Sequence, residues 1–235
     1  MAFLRLIGRW IGWSLAVLIA AFLLLQLWYL GWVLWWNWQN PVSTSFMRIQ
    51  AESLQQASGR PVALKYRWVD YSQISNHLKR AVIVAEDDTF VDHDGVNWES
   101  LEKAYWNNQR KGKKIKGGST ITQQLAKNLF LTGERSYWRK GQELLITWML
   151  EAVMSKRRIL ELYLNVAEWG EGVFGAQAGA LHHYGIPAAQ LSSQQAARMA
   201  AMLPRPRYYD KRRDAPYLQQ YSSRILGRMP HAELP

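Results

Sequence analysis

The chemistry in this chain could start at a carboxylate. Residues 86–95 read Glu-Asp-Asp-Thr-Phe-Val-Asp-His-Asp-Gly and follow directly on the apolar run Ala81–Ala85. A carboxyl group leaving the end of an apolar helix loses hydration, which raises its pKa toward that of a useful general base. Taken alone, the stretch reads first as a solvated acidic helix end. His93 reads as a structural hydrogen-bonding residue, because no HExxH or other ligand spacing accompanies it.

A second group lies at Gly117-Gly118-Ser119-Thr120-Ile121-Thr122-Gln123-Gln124-Leu125-Ala126-Lys127-Asn128. Two glycines open a helix whose cap is Ser119 or Thr120, and Gln123 can close a capping box with Thr120. Free N–H groups at such a start suit an anion. Gln123 and Gln124 precede Lys127 by four and three residues, so one face presents amides and a cation together. The GxxxxGK[ST] spacing of a P-loop is absent, and an ordinary capped helix fits the same residues.

Arg135, Arg139, Lys140 and Glu143 form a third cluster at the head of the apolar run Leu144–Leu150. On its own it reads as a surface ion-pair group of little energetic weight. The segment Lys156–Asn165 has the Leu and Ile spacing of core packing. The run Arg110–Lys116 carries five cations in seven residues. It reads as a solvated loop or as a contact for anionic lipid or pyrophosphate, and outside the cell a nucleic acid is not its partner.

These residues must be held by elements of very different composition. Of 13 Trp in 235 residues, seven (Trp10, Trp13, Trp28, Trp32, Trp35, Trp36, Trp38) fall within the first 40. No charge occurs from Trp10 to Gln39, a length that exceeds the roughly 20 apolar residues of a span. The Trp residues gather at its two ends as interfacial belts. A cleaved signal peptide would have a shorter apolar region and a small-residue cleavage site. Arg5 and Arg9 precede the segment without acids, which places the N-terminus in the cytoplasm and the remainder outside. The expected organisation is a cytoplasmic N-terminus (1–10), a transmembrane anchor (11–38), a connector (39–64) and a domain over 65–235.

Within that domain a weak alternation suggests a strand over 62–68, and from Ser75 onward the pattern is mostly helical. Ile74, Leu78, Ala81, Val82 and Ala85 share one face, and Leu144, Ile146, Trp148, Leu150 and Val153 are expected to share another. Ser155 caps the segment Lys156–Leu164, and Ser192 with Gln195 reads as a capping box. With 49% hydrophobic and 20% charged residues the chain can build a core, and its mean hydropathy of −0.26 excludes a bundle of spanning helices. The absence of cysteine excludes thiolate catalysis, disulfides and Cys-based metal sites. The formal charge of +11 points to an anionic partner.

Taken in order and spacing, these segments resemble the peptidoglycan glycosyltransferase family. They are similar to the glycosyltransferase module of class A penicillin-binding proteins and, more closely, to the monofunctional biosynthetic peptidoglycan transglycosylases. The family patterns EDxxFxxHxG, GGSTITQQxxKN, RKxxE and KxxILExYLN are met at 86–95, 117–128, 139–143 and 156–165. The likeness covers roughly residues 65–210. It departs at 175–185, Gly-Ala-Gln-Ala-Gly-Ala-Leu-His-His-Tyr-Gly, where the family has Glu in place of Gln177 and a differently placed aromatic. No SxxK, SxN or KTG transpeptidase pattern is present, in keeping with the monofunctional branch.

The resemblance implies a mainly α, lysozyme-like domain behind one transmembrane helix in the bacterial inner membrane, with the domain periplasmic. It implies lipid II and the growing glycan strand as substrates, and inverting transfer that forms β-1,4 bonds. Cell-division or elongation proteins are the further partners it suggests. A pyrophosphate is already a good leaving group, so the reaction needs a base and a cationic cradle more than an acid. Glu86 is then the base. Lys127 and Arg135, with Arg139 and Lys140, hold the donor pyrophosphate, and Ser119, Thr120, Gln123, Gln124 and Asn128 position it. Glu143 is the second carboxylate, orienting the cations or leaving group directly or through a divalent ion, Mg or Mn. A lysozyme-like glycan-cleaving enzyme also uses paired carboxylates, but it gives the cationic face nothing to do. A non-catalytic wall scaffold leaves Glu86 without a role.

Overall fold

The computed structural model describes residues 2–111, 118–134 and 136–235, which divide into two compact units, 1–39 and 40–235. The first is a single helix, α1 (Ala2–Trp38). Its stretch Ile7–Trp38 is long and apolar enough to cross a membrane. At ~1.5 Å per residue those 32 residues reach about 48 Å, more than the roughly 30 Å of hydrocarbon. Trp10 and Trp13 near one end and Trp28, Trp35 and Trp38 near the other stand exposed.

The second unit is mainly helical. Residues 39–64, expected as a connector, contain α2 (Ser45–Ser58), capped by the Thr44 hydroxyl at the Met47 N–H and closed by Gly59 in the left-handed region. It buries Met47 and Gln50 and packs on α5. Its Gln- and Ser-rich outer face disguised a one-sided helix as a polar link. The strand expected over 62–68 shrinks to β1 (Lys65–Tyr66). It pairs in parallel with β3 (Val173–Phe174), which pairs antiparallel with β2 (Glu168–Gly170).

Two helix groups build the core. α3 (Asn76–Glu86) packs against α9 (Ser193–Met202) and α11 (Pro216–Arg228). Its buried positions Leu78, Ala81 and Val82 recur at the three- and four-residue spacing seen in the sequence. α5 (Ile121–Phe130) lies among α2, α6 (Tyr137–Val153) and α7 (Lys156–Val166). Ile121, Leu125 and Leu129 on α5 are buried, and each side chain removed from water contributes about 1.5–3 kcal/mol. On α6 the inward face runs through Glu143, Ile146, Thr147 and Leu150, while Trp148 is exposed, against the face expected for it. The cap at Ser155 and the capping boxes at Thr120–Gln123 and Ser192–Gln195 form as read from the sequence. The other α-helices among the described residues are α4 (Trp98–Lys111), α8 (Ala176–Tyr184) and α10 (Pro206–Asp210).

Candidate active site

Glu86 is the last residue of α3, so its carboxylate leaves the apolar α3 face as the sequence suggested. It lines a cleft of about 670 Å³ together with Asp88, Ser119, Thr120 and Tyr221. Burial pushes its pKa up, with the Asp87 charge adding to the effect. The Gln124 amide and the Lys127 ammonium oppose it. The Gln124 Nε2 donates to Glu86 Oε2 at 2.7 Å. Gln124 Oε1 in turn accepts from the Tyr163 hydroxyl at 3.0 Å. Tyr163 is 2% exposed, and burial holds its pKa well above the ordinary value, so the hydroxyl stays a donor. The chain Tyr163–Gln124–Glu86 therefore fixes the amide with its N–H toward the carboxylate.

The segment after Glu86 is an anchor for α5. Asp87 is buried and accepts from His93 Nε2 at 2.9 Å and from the Ile121 N–H at 3.0 Å. The Gly95 N–H donates to His93 Nδ1 at 3.1 Å, so Nδ1 carries a lone pair and Nε2 is the donor to Asp87. His93 is thus a structural link, as its lone spacing suggested. The turn closes at Gly95, whose φ is +82° and whose carbonyl accepts from Thr120 Oγ1 at 2.6 Å. A Cβ at Gly95 would come within 2.6 Å of Thr147 Cγ2, and one at Gly118 within 2.9 Å of the Leu101 Cα. Both glycines are needed for close approach.

Thr120 and Gln123 are buried, Gln123 to 1% exposure. Thr120 Oγ1 accepts from the Gln123 N–H, and Gln123 Oε1 accepts from the Thr120 N–H. They fix the start of α5, with Thr120 on the wall of the 670 Å³ cleft and Gln123 buried behind it. Ser119, Gln124 and Lys127 are partly open. Asn128 is buried at the rim of a second cleft of about 400 Å³, which Gln124, Lys127, Tyr163, Glu168, Arg205 and Arg207 also line. Gln124 therefore reaches both clefts, contacting the carboxylate of one and lining the other.

The third cluster is not a surface group. Glu143 is 3% exposed and accepts from Arg139 at 2.6 Å and Lys140 at 2.5 Å, one cation on each oxygen. Lys140 also reaches Ser119 Oγ at 3.4 Å. Lys127 feels the same group: burial lowers its pKa, Arg139 and Lys140 push the same way, and Glu143 and Glu86 oppose. Three cations against one buried carboxylate leave a positive excess beside Glu86. Arg135 lies outside the described residues. This donor set does not fit a resident divalent cation. Both Glu143 oxygens are held by cations, and both Asp87 oxygens by N–H donors.

Residues that sequence reasoning missed are Tyr163, Asp87, Asn165, Glu151 and Lys156. Glu151 Oε1 accepts from Thr122 at 2.6 Å and Lys156 at 2.9 Å, tying α5 to α6 and α7. Asn165 is fully buried. Its amide pairs with both backbone groups of Val69 and donates to the Glu161 carbonyl. The sequence signal for Asp87, Lys156, Tyr163 and Asn165 was their place inside the motifs, where Lys156–Asn165 read as packing alone; Glu151 lies outside every motif.

A family model described as Transglycosylase matches residues 52–230. A biosynthetic peptidoglycan transglycosylase of Dechloromonas aromatica (strain RCB) is 55% identical over 232 residues, 99% of this chain and 100% of that one. Proteins of the same description from Herminiimonas arsenicoxydans and Azoarcus sp. (strain BH72) are 55% and 53% identical, again over 99% of this chain and 100% of each. A match of this extent, over the domain that carries both carboxylates and the capped α5, means that the chain belongs to the biosynthetic peptidoglycan transglycosylase family.

Proposed function

We propose that this protein polymerises peptidoglycan glycan strands from lipid II, with Glu86 as general base. In the step proposed, the 4-hydroxyl oxygen of the acceptor GlcNAc attacks C1 of the lipid-linked donor as its proton passes to Glu86. The bond from C1 to the pyrophosphate oxygen breaks, and undecaprenyl pyrophosphate leaves with the electron pair, inverting the anomeric centre. The observation that carries this reading is one base and three cations meeting around α5. Burial raises the basicity of Glu86, and Gln124 aims it. Lys127, Arg139 and Lys140 supply positive charge to the departing pyrophosphate, as preorganised donors do for developing anions. Glu143 holds Arg139 and Lys140 in place and is a positioning residue rather than a second acid.

α1 anchors the chain in the inner membrane, and Arg5 and Arg9 set its N-terminus in the cytoplasm and the domain in the periplasm. Trp98, Leu101 and Trp106 on α4 are exposed and give the domain an apolar contact with the bilayer that holds the lipid tail. The full chain in detergent or proteoliposomes, given purified lipid II in one arm and purified cell wall in the other, separates polymerisation from cleavage. Glycan polymer from the first arm and no soluble fragments from the second is the expected result. Muropeptide release without polymer would assign the site to glycan cleavage.

A further inference from the structure

The departure at 175–185 places two adjacent histidines, His182 and His183, in the last turn of α8. Twenty-eight residues further on, Asp210 ends α10 and comes back to them. His182 Nε2 lies 2.8 Å from Asp210 Oδ1, and one donor atom from each of the three residues falls within 4.8 Å of the others. Among the described residues this is the one group of three or more His or carboxylate side chains so arranged. It includes neither Glu86 nor Glu143.

Backbone groups hold two of the three side chains. His183 Nε2 lies 2.6 Å from the Trp169 carbonyl. A carbonyl can only accept, so Nε2 carries the proton and Nδ1 keeps its lone pair. A backbone acceptor of this kind fixes the tautomer and ring orientation of metal-bound imidazoles. Asp210 Oδ2 accepts from the Glu171 N–H at 3.2 Å, which orients the carboxylate with Oδ1 toward the histidines. Gly170 makes room, since a Cβ there would meet Asp210 Oδ2 at 2.8 Å. The negative end of the α8 dipole favours a cation at this place. A cation already occupies it: Arg213 stands 3.0 Å from Asp210 Oδ1 and 3.4 Å from His182 Nε2. Its side chain is about half exposed, and its Nε donates to the Asp210 carbonyl at 3.3 Å.

We propose that His182, His183 and Asp210 form a binding site for a zinc-class divalent transition metal, completed by water, with Arg213 as its built-in competitor. Two imidazoles and one carboxylate suit such a metal better than Mg or Ca. Tetrahedral ligands at ~2.0–2.1 Å stand about 3.3 Å apart, so the His182–Asp210 contact opens by about half an ångström, and the His183 ring, whose donor atom lies within 4.8 Å of the other two, adjusts to the same spacing. On metal entry His182 takes the tautomer protonated at Nδ1, and Arg213 moves out. The metal pins the end of α8 to the end of α10, and α10 begins among Arg205, Pro206 and Arg207 on the rim of the 400 Å³ cleft. The site is therefore structural, a clamp on that wall.

The test is calorimetric titration of zinc into the full chain in detergent, stripped with chelator and free of any histidine tag. Cobalt(II) replaces zinc in a parallel sample. One equivalent should bind, cobalt should show the intense visible bands of four-coordination, and zinc should raise the melting temperature. Affinity should fall more than about tenfold in His182→Ala, His183→Ala and Asp210→Asn. It should rise in Arg213→Ala, a variant that removes no ligand and so reads the site even if a ligand variant misfolds. Absence of binding in the parent chain would overturn the proposal. So would binding that His182→Ala and Asp210→Asn leave unchanged while folding normally, or that Arg213→Ala weakens.

Discussion

Replacing Gln124 with alanine tests how the base is tuned. The side chain donates to Glu86 Oε2 at 2.7 Å and accepts from Tyr163 at 3.0 Å, so truncation removes both bonds. A hydrogen bond to a charged group is worth about 1.5–3 kcal/mol, and the Glu86 bond stabilises the ionised form. Burial already raises the Glu86 pKa and Gln124 opposes that rise, so its loss raises the pKa further. At pH values below the acid limb, the variant should have about 10- to 150-fold fewer ionised bases than the parent. That deficit should close as pH rises, leaving a smaller loss from poorer aiming. The assay is polymerisation of lipid II at sub-saturating concentration across a pH series, reading kcat/KM. The acid limb should move to higher pH in Gln124→Ala and by less in Tyr163→Phe, which keeps the amide donor but releases its far end. A loss equal at every pH, or a limb moving to lower pH, would refute the tuning argument.

Other substitutions probe the parts around the base. Lys127→Ala should weaken binding of a pyrophosphate-bearing lipid about 10- to 150-fold, the loss of one charged hydrogen bond, with an unchanged circular dichroism spectrum; unaltered affinity would remove Lys127 from the cradle. Asn165→Ala breaks three buried side-chain hydrogen bonds and should cost about 2–4 kcal/mol, read from denaturant unfolding. Gly95→Ala forces a side chain into φ +82° and against Thr147 and Glu151. At about 2–4 kcal/mol it should lower the melting temperature by roughly 4–16 °C.

Much of this architecture was legible in the primary structure because its signals are local. Capping boxes at Thr120 and Ser192, the cap at Ser155 and the charge-free stretch after Arg9 each lie within one element. Glu86 at the end of an apolar α3 face needs no tertiary knowledge. α2 escaped because its buried side is small and its outer face polar. Glu143 read as an exposed ion pair, since spacing reports which cations it can reach but not that α5 covers it. Tyr163 lies 39 residues from Gln124 and Asp210 lies 28 from His182. Those contacts arise from helix packing, which no periodicity records. The burial of Thr120 and Gln123 had the same origin.

Whether Glu86 takes the acceptor proton is read from Glu86→Gln assayed on lipid II. General-base catalysis contributes about 10²- to 10⁴-fold, so polymerisation should fall by at least that range. Folding should not suffer. A carboxyl with a raised folded pKa contributes stability in full below its unfolded pKa and loses it as pH rises through the folded value. A neutral glutamine avoids that loss, so at neutral and alkaline pH the variant should melt at or above the parent temperature. A folded Glu86→Gln protein that polymerises lipid II at near the parent rate would contradict the account.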